Sequence, residues 1–505
     1  MVPHPRWKTR LVLRFRERVS WSTEGADGPY LVAPPLCRLC LAHVPPVVRD
    51  ALHGLLGDGR TEEELAEELS RQDGAWSVAT LLVLLRRLEQ LRLLAYAVRD
   101  ESGVLASLHP ISPWFELRPV ALEARRPYVL SRFAYQRRVG QGMVLESPRC
   151  HAWLRLEAPA AAALCLALAR PSTDESLASE TGRAPELIEA FLGLLLSAGL
   201  LLPADDSGRT EEEHAPQLAP WSFHDLLFHA RSRLGRHAEP MGKTFPFRER
   251  FPAPPALRAP AKLMAAPIAL HRPDLDALRA ADPPFTAVLE DRRSLRLQGT
   301  EPLSLESLGE FLFRVARVRE RPAGTPAGYE ITSRPYPSGG ACYELELYLA
   351  VDRCEGLASG LYHYEPEGHL LCLRSERTPA VEALLAGAAA STASPRLPQV
   401  LLCLASRFQR VSWSYEGIGY AITLKNAGVL YQTCYLVATA MGLACCGVGL
   451  GDSDLFASAA GTDYYAETTV GELLLGSRGE GDGAALPPPS SPLRKERSDD
   501  CAPSH

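Results

Sequence analysis

Lysine is scarce in this chain, which uses arginine almost throughout and places lysine only at Lys8, Lys243, Lys262, Lys425 and Lys495. A lysine inside an apolar segment therefore stands out. Positive charge is not in excess either: the formal net charge is -6, which removes the electrostatic reason to expect a nucleic-acid partner. No apolar run reads as a membrane span. The best candidate, Tyr420 to Gly451, carries Thr423, Lys425, Asn426, Gln432 and Thr433 in its first half, where a span needs about 20 mostly apolar residues. The opening MVPHPRWKTR lacks an apolar signal region, so a reducing cytoplasm is the expected location.

A disulfide framework is missing as well. Twelve cysteines are scattered without regular spacing, and Cys37 and Cys40 form a CxxC with no second pair near it. They read as small core residues rather than a metal or redox set. His224, His229 and His237 lack the spacing of a zinc helix and an acidic or cysteine partner, so no metal is expected.

What is present is a chain of 505 residues, enough for roughly three domains at about 150 residues each. LVLRFRERVSW alternates as a strand. TEEELAEELS, with Thr61 capping ahead of Glu64, and SVATLLVLLRRLEQLRLLAYAV read as two helices and a closing strand. This order suggests a winged-helix-like module over 1–118. The pattern recurs over 119–205: RFAYQRRV at Arg132 answers RFRERV at Arg14, TDESLASE at Thr173 answers TEEELAEE at Thr61, and LLSAGLL at Leu195 answers LEQLRLL at Leu88. We read a degenerate tandem repeat. Neither second helix is a basic reading head: the first has only Arg86, Arg87 and Arg92 among leucines, and LIEAFLGLLLSAGLLL has no cation. Peptide or protein binding, for instance by strand addition, suits such modules better than DNA.

Residues 206–261 are Pro-rich and irregular around one short helix, as a connector would be. A larger unit follows over 262–478. Arg292-Arg293-Ser294-Leu295-Arg296 gathers three guanidiniums and a hydroxyl ahead of a helix capped by Ser304, and guanidinium forks match phosphate oxygens. RPYPSGGACYELELYLAVD places Pro337, Ser338, Gly339 and Gly340 in a rigid turn whose backbone can approach a ligand, followed by a strand. GLYHYEPEGHLLCLR reads as a hairpin and VLLCLAS as a buried strand. Tyr420 onward reads as a buried helix leading into a backbone-exposing glycine loop, Gly447, Gly449 and Gly451. TVGELLLGSRG gives a final strand ending at Arg478, and 479–505 reads as a disordered tail.

RRSLR, RPYPSGGACYELELY and YAITLKNAGVLYQTCYLVATAMGLACCGVGLGD, in that order, resemble the SagB-type dehydrogenases of the nitroreductase-like flavoproteins. WSFHDLLFHARSRLGRH looks like that family's lead-in. The likeness is nearest to the cyanobactin-type azoline oxidases, which set two peptide-recognition modules ahead of the flavin domain. It implies an α+β fold, a nitroreductase-like FMN domain preceded by two winged-helix-like modules. It also implies FMN-dependent oxidation of thiazolines or oxazolines to azoles in a ribosomally made precursor peptide. By the resemblance, Arg292, Ser294 and Arg296, with Arg293 in the same motif, hold the FMN phosphate and ribityl chain, and Arg478 is a second phosphate cation. Pro337, Ser338, Gly339 and Gly340 lie along the isoalloxazine, and Gly447, Gly449 and Gly451 offer N–H groups near it. The implied partners are the precursor's leader, a cyclodehydratase and a second copy of the chain, with the flavin at the dimer interface.

The resemblance breaks at one place. Azoline oxidases carry an adjacent Lys-Tyr pair as catalytic base, whereas this chain reads Trp413-Ser414-Tyr415-Glu416. Tyr415 fits the tyrosine and Ser414 stands where the lysine would be. Either Lys425 supplies the missing charge to Tyr415, or Lys425 only snorkels from the helix and the oxidation is a different one. A nitroreductase-like enzyme for small molecules and a non-catalytic scaffold are the alternatives to peptide oxidation.

Overall fold

The computed structural model describes residues 5–17, 19–22, 28–33, 37–258, 264–322 and 328–479. The Cys37 side chain, Lys262, Lys495 and the expected tail beyond Gly479 lie outside them. The chain divides into two compact units, Met1–Glu239 and Pro240–His505. The division falls inside the segment read as a connector.

In the first unit a seven-stranded sheet is built from β1 (Val12–Phe15), β2 (Arg60–Thr61), β3 (Leu94–Asp100), β4 (Gly103–Pro110), β5 (Tyr135–Val139), β6 (Gly142–Glu146) and β7 (Ala152–Leu156) in the order β2-β1-β3-β4-β7-β6-β5. Helices α1 (Glu62–Gln72) and α2 (Ala75–Gln90) precede the β3–β4 hairpin. The Thr61 hydroxyl accepts the Glu64 N–H at 3.1 Å while Glu64 accepts the Thr61 N–H at 2.8 Å, so the expected capping box starts α1. In the second half Thr173 forms the same reciprocal cap with Ser176 ahead of α3 (Asp174–Thr181), which α4 (Pro185–Ala198) follows. The antiparallel β4–β7 pair, with Leu108 opposite Leu154, fuses the two halves. Residues 1–118 and 119–205 therefore share one sheet and one apolar core, running from Trp7, Leu65 and Leu85 to Phe191 and Leu194.

The second unit is an antiparallel sheet of β8 (Ile268–Ala269), β9 (Leu345–Val351), β10 (Gly360–Glu365), β11 (Leu370–Glu376), β12 (Val400–Arg407), β13 (Leu443–Val448) and β14 (Glu467–Ser477), ordered β8-β11-β10-β9-β12-β14-β13. Strand alternation sends Leu347 and Leu349 to one face and Tyr348 and Ala350 to the other. The first face is covered by α5 (Leu305–Ala316) and α7 (Gly419–Ala440) through Leu308, Phe311, Leu430 and Cys434. The second is covered by α6 (Pro379–Ser391) and α8 (Ser453–Ala460) through Leu385 and Phe456. Helices packed on a sheet whose strand pairs are all antiparallel give the α+β architecture that was expected.

Two details differ from the sequence reading. The long helix α7 is not buried all round: Thr423, Ala427, Leu430, Cys434 and Ala438 form its buried stripe, while Tyr420 and Leu424 are exposed. An apolar composition hides such one-sidedness, because small residues on the outer face dilute the periodicity. The glycine run also begins inside edge strand β13, where Gly447 pairs with Leu473, so the loop starts only beyond Val448. Among the described residues no helix is long and apolar enough to cross a membrane.

Candidate functional site

The Pro337–Gly340 turn enters β9, the strand at the centre of the sheet. Gly340 has φ +62°, a left-handed conformation that glycine adopts without penalty. A Cβ there would lie 2.3 Å from the Tyr415 hydroxyl. The turn is tied down by Asn426 on α7: its Oδ1 accepts the Gly339 N–H at 2.9 Å, and its Nδ2 donates to Ser338 Oγ at 3.1 Å and Glu344 Oε1 at 2.8 Å. Ser338 Oγ in turn accepts the Tyr343 N–H at 3.0 Å. Glu344 is fully buried, and burial pushes its carboxyl pKa up against the lowering effect of the Asn426 bond. Asn426 was not among the expected site residues. Its signal was a single buried amide in an apolar helix, visible only as an interruption.

The arginine knot lies across the other end of α7. Leu295 donates its N–H to Cys445 O at 3.0 Å, and Gly299 donates to Ser477 O at 2.9 Å, so 292–299 is laid along the ends of β13 and β14. Tyr435 joins knot to glycines: its hydroxyl takes the Gly447 N–H at 2.6 Å and pairs with Ser294 Oγ at 2.9 Å, with the Arg292 guanidinium 5.4 Å from the ring centre. Arg293, Ser294, Arg296 and Arg478 are exposed and Arg292 is half-buried. No ion pair engages Arg292, Arg293, Arg296 or Arg478 among the described residues. A cluster of uncompensated guanidiniums beside a serine can act as the donor set of an anion site. Gly449 has open space around it, whereas a Cβ on Gly451 would meet the Glu472 carboxylate at 2.2 Å. A side chain at Gly451 would have to displace the Glu472 carboxylate.

Tyr415 lies at the end of a short helix, Phe408–Ser412, and a strap from the first part of the second unit closes over it. Gly242 and Glu416 exchange backbone hydrogen bonds at 3.0 and 2.9 Å, and Phe245 N–H donates to Ser414 O at 3.1 Å. Arg410, fully buried, donates to the carbonyls of Cys342, Pro254 and Glu330, and Trp413 Nε1 donates to Phe251 O at 2.9 Å. Part of the segment read as a connector is therefore a wall of the site. Ser414 is fully buried and its Oγ has no hydrogen-bond partner among the described residues. Burial raises the Tyr415 pKa, with the Cys342 thiol adding to the rise. Lys425 is exposed on α7. The lysine at the Tyr415 ring is Lys243, whose Nζ is 5.9 Å from the ring centre and 5.5 Å from that of Phe245.

Residues 289–476 match the model of the Nitroreductase family, and residues 128–238 match that of Cyanobactin oxidase ThcOx. The Nitroreductase match lies wholly within the second unit. With the ThcOx segment ahead of it, the chain has the combination that the sequence resemblance implies. Among curated relatives, MJ1384 of Methanocaldococcus jannaschii, provisionally named a nitroreductase, is 29% identical over 36% of this chain and 83% of its own length. The microcin B17-processing protein McbC of Escherichia coli is 33% identical over 22% of this chain, and the match spans 42% of McbC. Among solved structures, the E. coli microcin synthetase McbBCD complex with truncated pro-MccB17 bound matches at 22% identity, covering 37% of this chain and 71% of that one, with a TM-score of 0.31. The segment that matches the Nitroreductase family, 289–476, contains the Pro337–Gly340 turn, the arginine knot and Tyr415.

Proposed function

We propose that the protein is an FMN-dependent dehydrogenase that oxidises thiazoline or oxazoline rings to azoles in a ribosomally made precursor peptide. The observation that carries the reading is the Tyr415 hydroxyl packed on the backbone of Gly340, in the turn assigned to the flavin ring. Aromatising an azoline removes two hydrogens. Tyr415 takes the proton from the ring carbon alpha to the carbonyl as general base, and bound FMN supplies acceptance of the hydride.

The residues present fit that cofactor. The Arg292–Arg296 cluster with Ser294 provides uncompensated donors for a phosphate, Arg478 adds a cation at the end of β14, and Gly339 and Gly340 leave a turn without side chains. Asn426 orients the turn through the Gly339 amide. The resemblance implies N–H groups of Gly447, Gly449 and Gly451 near the isoalloxazine; the Gly447 N–H is donated to the Tyr435 hydroxyl, which leaves Gly449, with open space around it, as the better candidate.

Asn426 and Tyr435 are nine residues apart on α7, about 180° around a helix of 3.6 residues per turn. The turn and the knot thus emerge on opposite flanks of one helix. A single flavin touching both kinds of group draws them from two copies of the chain, which favours a homodimer. The exposed Tyr420 and Leu424 provide apolar surface for such a contact.

In the first unit, two helix pairs each followed by a strand favour the winged-helix-like reading and, with it, binding of the precursor's leader. The cyclodehydratase that makes azolines is the corresponding enzyme partner. The deciding experiment is an absorbance spectrum of the purified protein before and after denaturation, followed by incubation with an azoline-containing peptide. About one FMN per chain and loss of two hydrogens per ring are expected. Colourless protein that cannot be reconstituted with FMN overturns the reading and leaves a scaffold.

A further inference from the structure

Resting on that reading, we propose that Lys243 is the positioning residue that supplies the positive charge to Tyr415. The position next to the tyrosine cannot do so. Ser414 points into the protein and is fully buried with its hydroxyl unpaired, and an ammonium there would be desolvated without a counter-charge. The neighbouring strap supplies the cation. Backbone hydrogen bonds on both sides of Lys243, Gly242 with Glu416 and Phe245 with Ser414, fix its main chain beside the tyrosine. Its ammonium stands within the range of a cation–π contact to both Phe245 and Tyr415.

The other groups around Tyr415 do not compete for this role. From the turn it meets the Gly340 backbone. The Cys342 thiol opposes phenolate formation. The Glu416 carboxylate accepts the Thr244 hydroxyl at 2.9 Å, and the buried Arg410 guanidinium is spent on carbonyls. Lys425 is exposed immediately before Asn426, about 100° around the helix from the amide that holds the turn.

A cation beside the ring favours the phenolate and opposes the rise in pKa that burial causes. The test is a carbon-13 NMR titration of tyrosine-labelled protein, with Tyr415→Phe assigning the signal, for wild type, Lys243→Ala, Lys243→Arg and Lys425→Ala. Expected is a higher Tyr415 pKa in Lys243→Ala, restored in Lys243→Arg. The rising limb of the kcat pH profile on an azoline peptide should move alkaline by the same amount, with FMN content unchanged. At a pH below that limb the rate falls about tenfold for each unit by which the limb moves. An unmoved Tyr415 titration in Lys243→Ala, or one moved only by Lys425→Ala, overturns the proposal. Failure of the wild type to oxidise azolines would instead overturn the proposed function, and the titration separates the two failures because it needs no turnover.

Discussion

The Tyr415 hydroxyl occupies the space into which a side chain on Gly340 would project, 2.3 Å from where its Cβ would stand. Gly340→Ala should therefore do two separable things. The left-handed φ makes an alanine unfavourable by about 1–2 kcal/mol, seen as a small fall in the unfolding midpoint. The methyl group also displaces Tyr415, and a shift of about 1 Å at a reacting group is worth on the order of 100-fold in kcat. Expected is a folded protein with azoline oxidation lowered about that much; near-normal turnover would dissociate Tyr415 from the chemistry.

Local devices were legible in the sequence because single residues dictate them. The glycine pair after Pro337 announced a backbone turn, the arginine knot announced a donor cluster, and Thr61 with Glu64 announced a helix start. What was not legible depends on pairing between irregular segments. Gly242 meets Glu416 across 174 positions through one isolated bridge, with no periodicity on either side, so the strap looked like connector and Lys243 like one of a few stray lysines. The fusion of the two N-terminal halves through β4 and β7 was hidden for a related reason: strand alternation says which face is buried but not which strand lies alongside.

Among the described residues, Asn426 binds Ser338, Gly339 and Glu344 together. Asn426→Ala leaves the Gly339 N–H without its partner and the buried Glu344 carboxyl with only the 3.4 Å bond from Ser338, and should destabilise the second unit by about 2–4 kcal/mol. Asn426→Asp is more informative. It sets a second carboxylate against Glu344, whose pKa is already raised by burial, so ionising both becomes unfavourable. Its destabilisation should be large at pH 7 and shrink as pH falls toward 5 and one carboxyl protonates. Thermal melts at the two pH values check this.

Glu346 has the opposite character. Burial opposes its ionisation, but Arg407 at 2.9 Å and the His363 bond, also at 2.9 Å, outweigh burial and hold its pKa at about 2. A carboxyl depressed from the ordinary 4.5 contributes stability that is fully present above that value and lost as pH falls toward 2. Glu346→Gln should accordingly cost stability at pH 7, about 3–5 kcal/mol because Arg407 is left without its partner. The gap from wild type should close between pH 4.5 and 2. Denaturant midpoints across that range test the sign.

The last prediction concerns the first unit alone. Trp7 is fully buried, donates its indole N–H to Val120 O at 2.9 Å, and lies flat against Gly193 of α4, where a Cβ would come within 2.4 Å of the ring. Gly193 has no positive φ to require glycine; the indole does. An added methyl must push aside either a large rigid ring or the helix backbone, and overpacking of this kind is worth about 1–3 kcal/mol. Releasing the Val120 bond would add roughly 1 kcal/mol more. Gly193→Ala should therefore lower the first unit's unfolding transition and shift the emission of Trp7 to the red. Where FMN is bound as proposed, its absorbance should stay as it is, because every residue assigned to that site lies beyond Glu239. Loss of flavin in this variant would show that the two units do not fold as separate bodies.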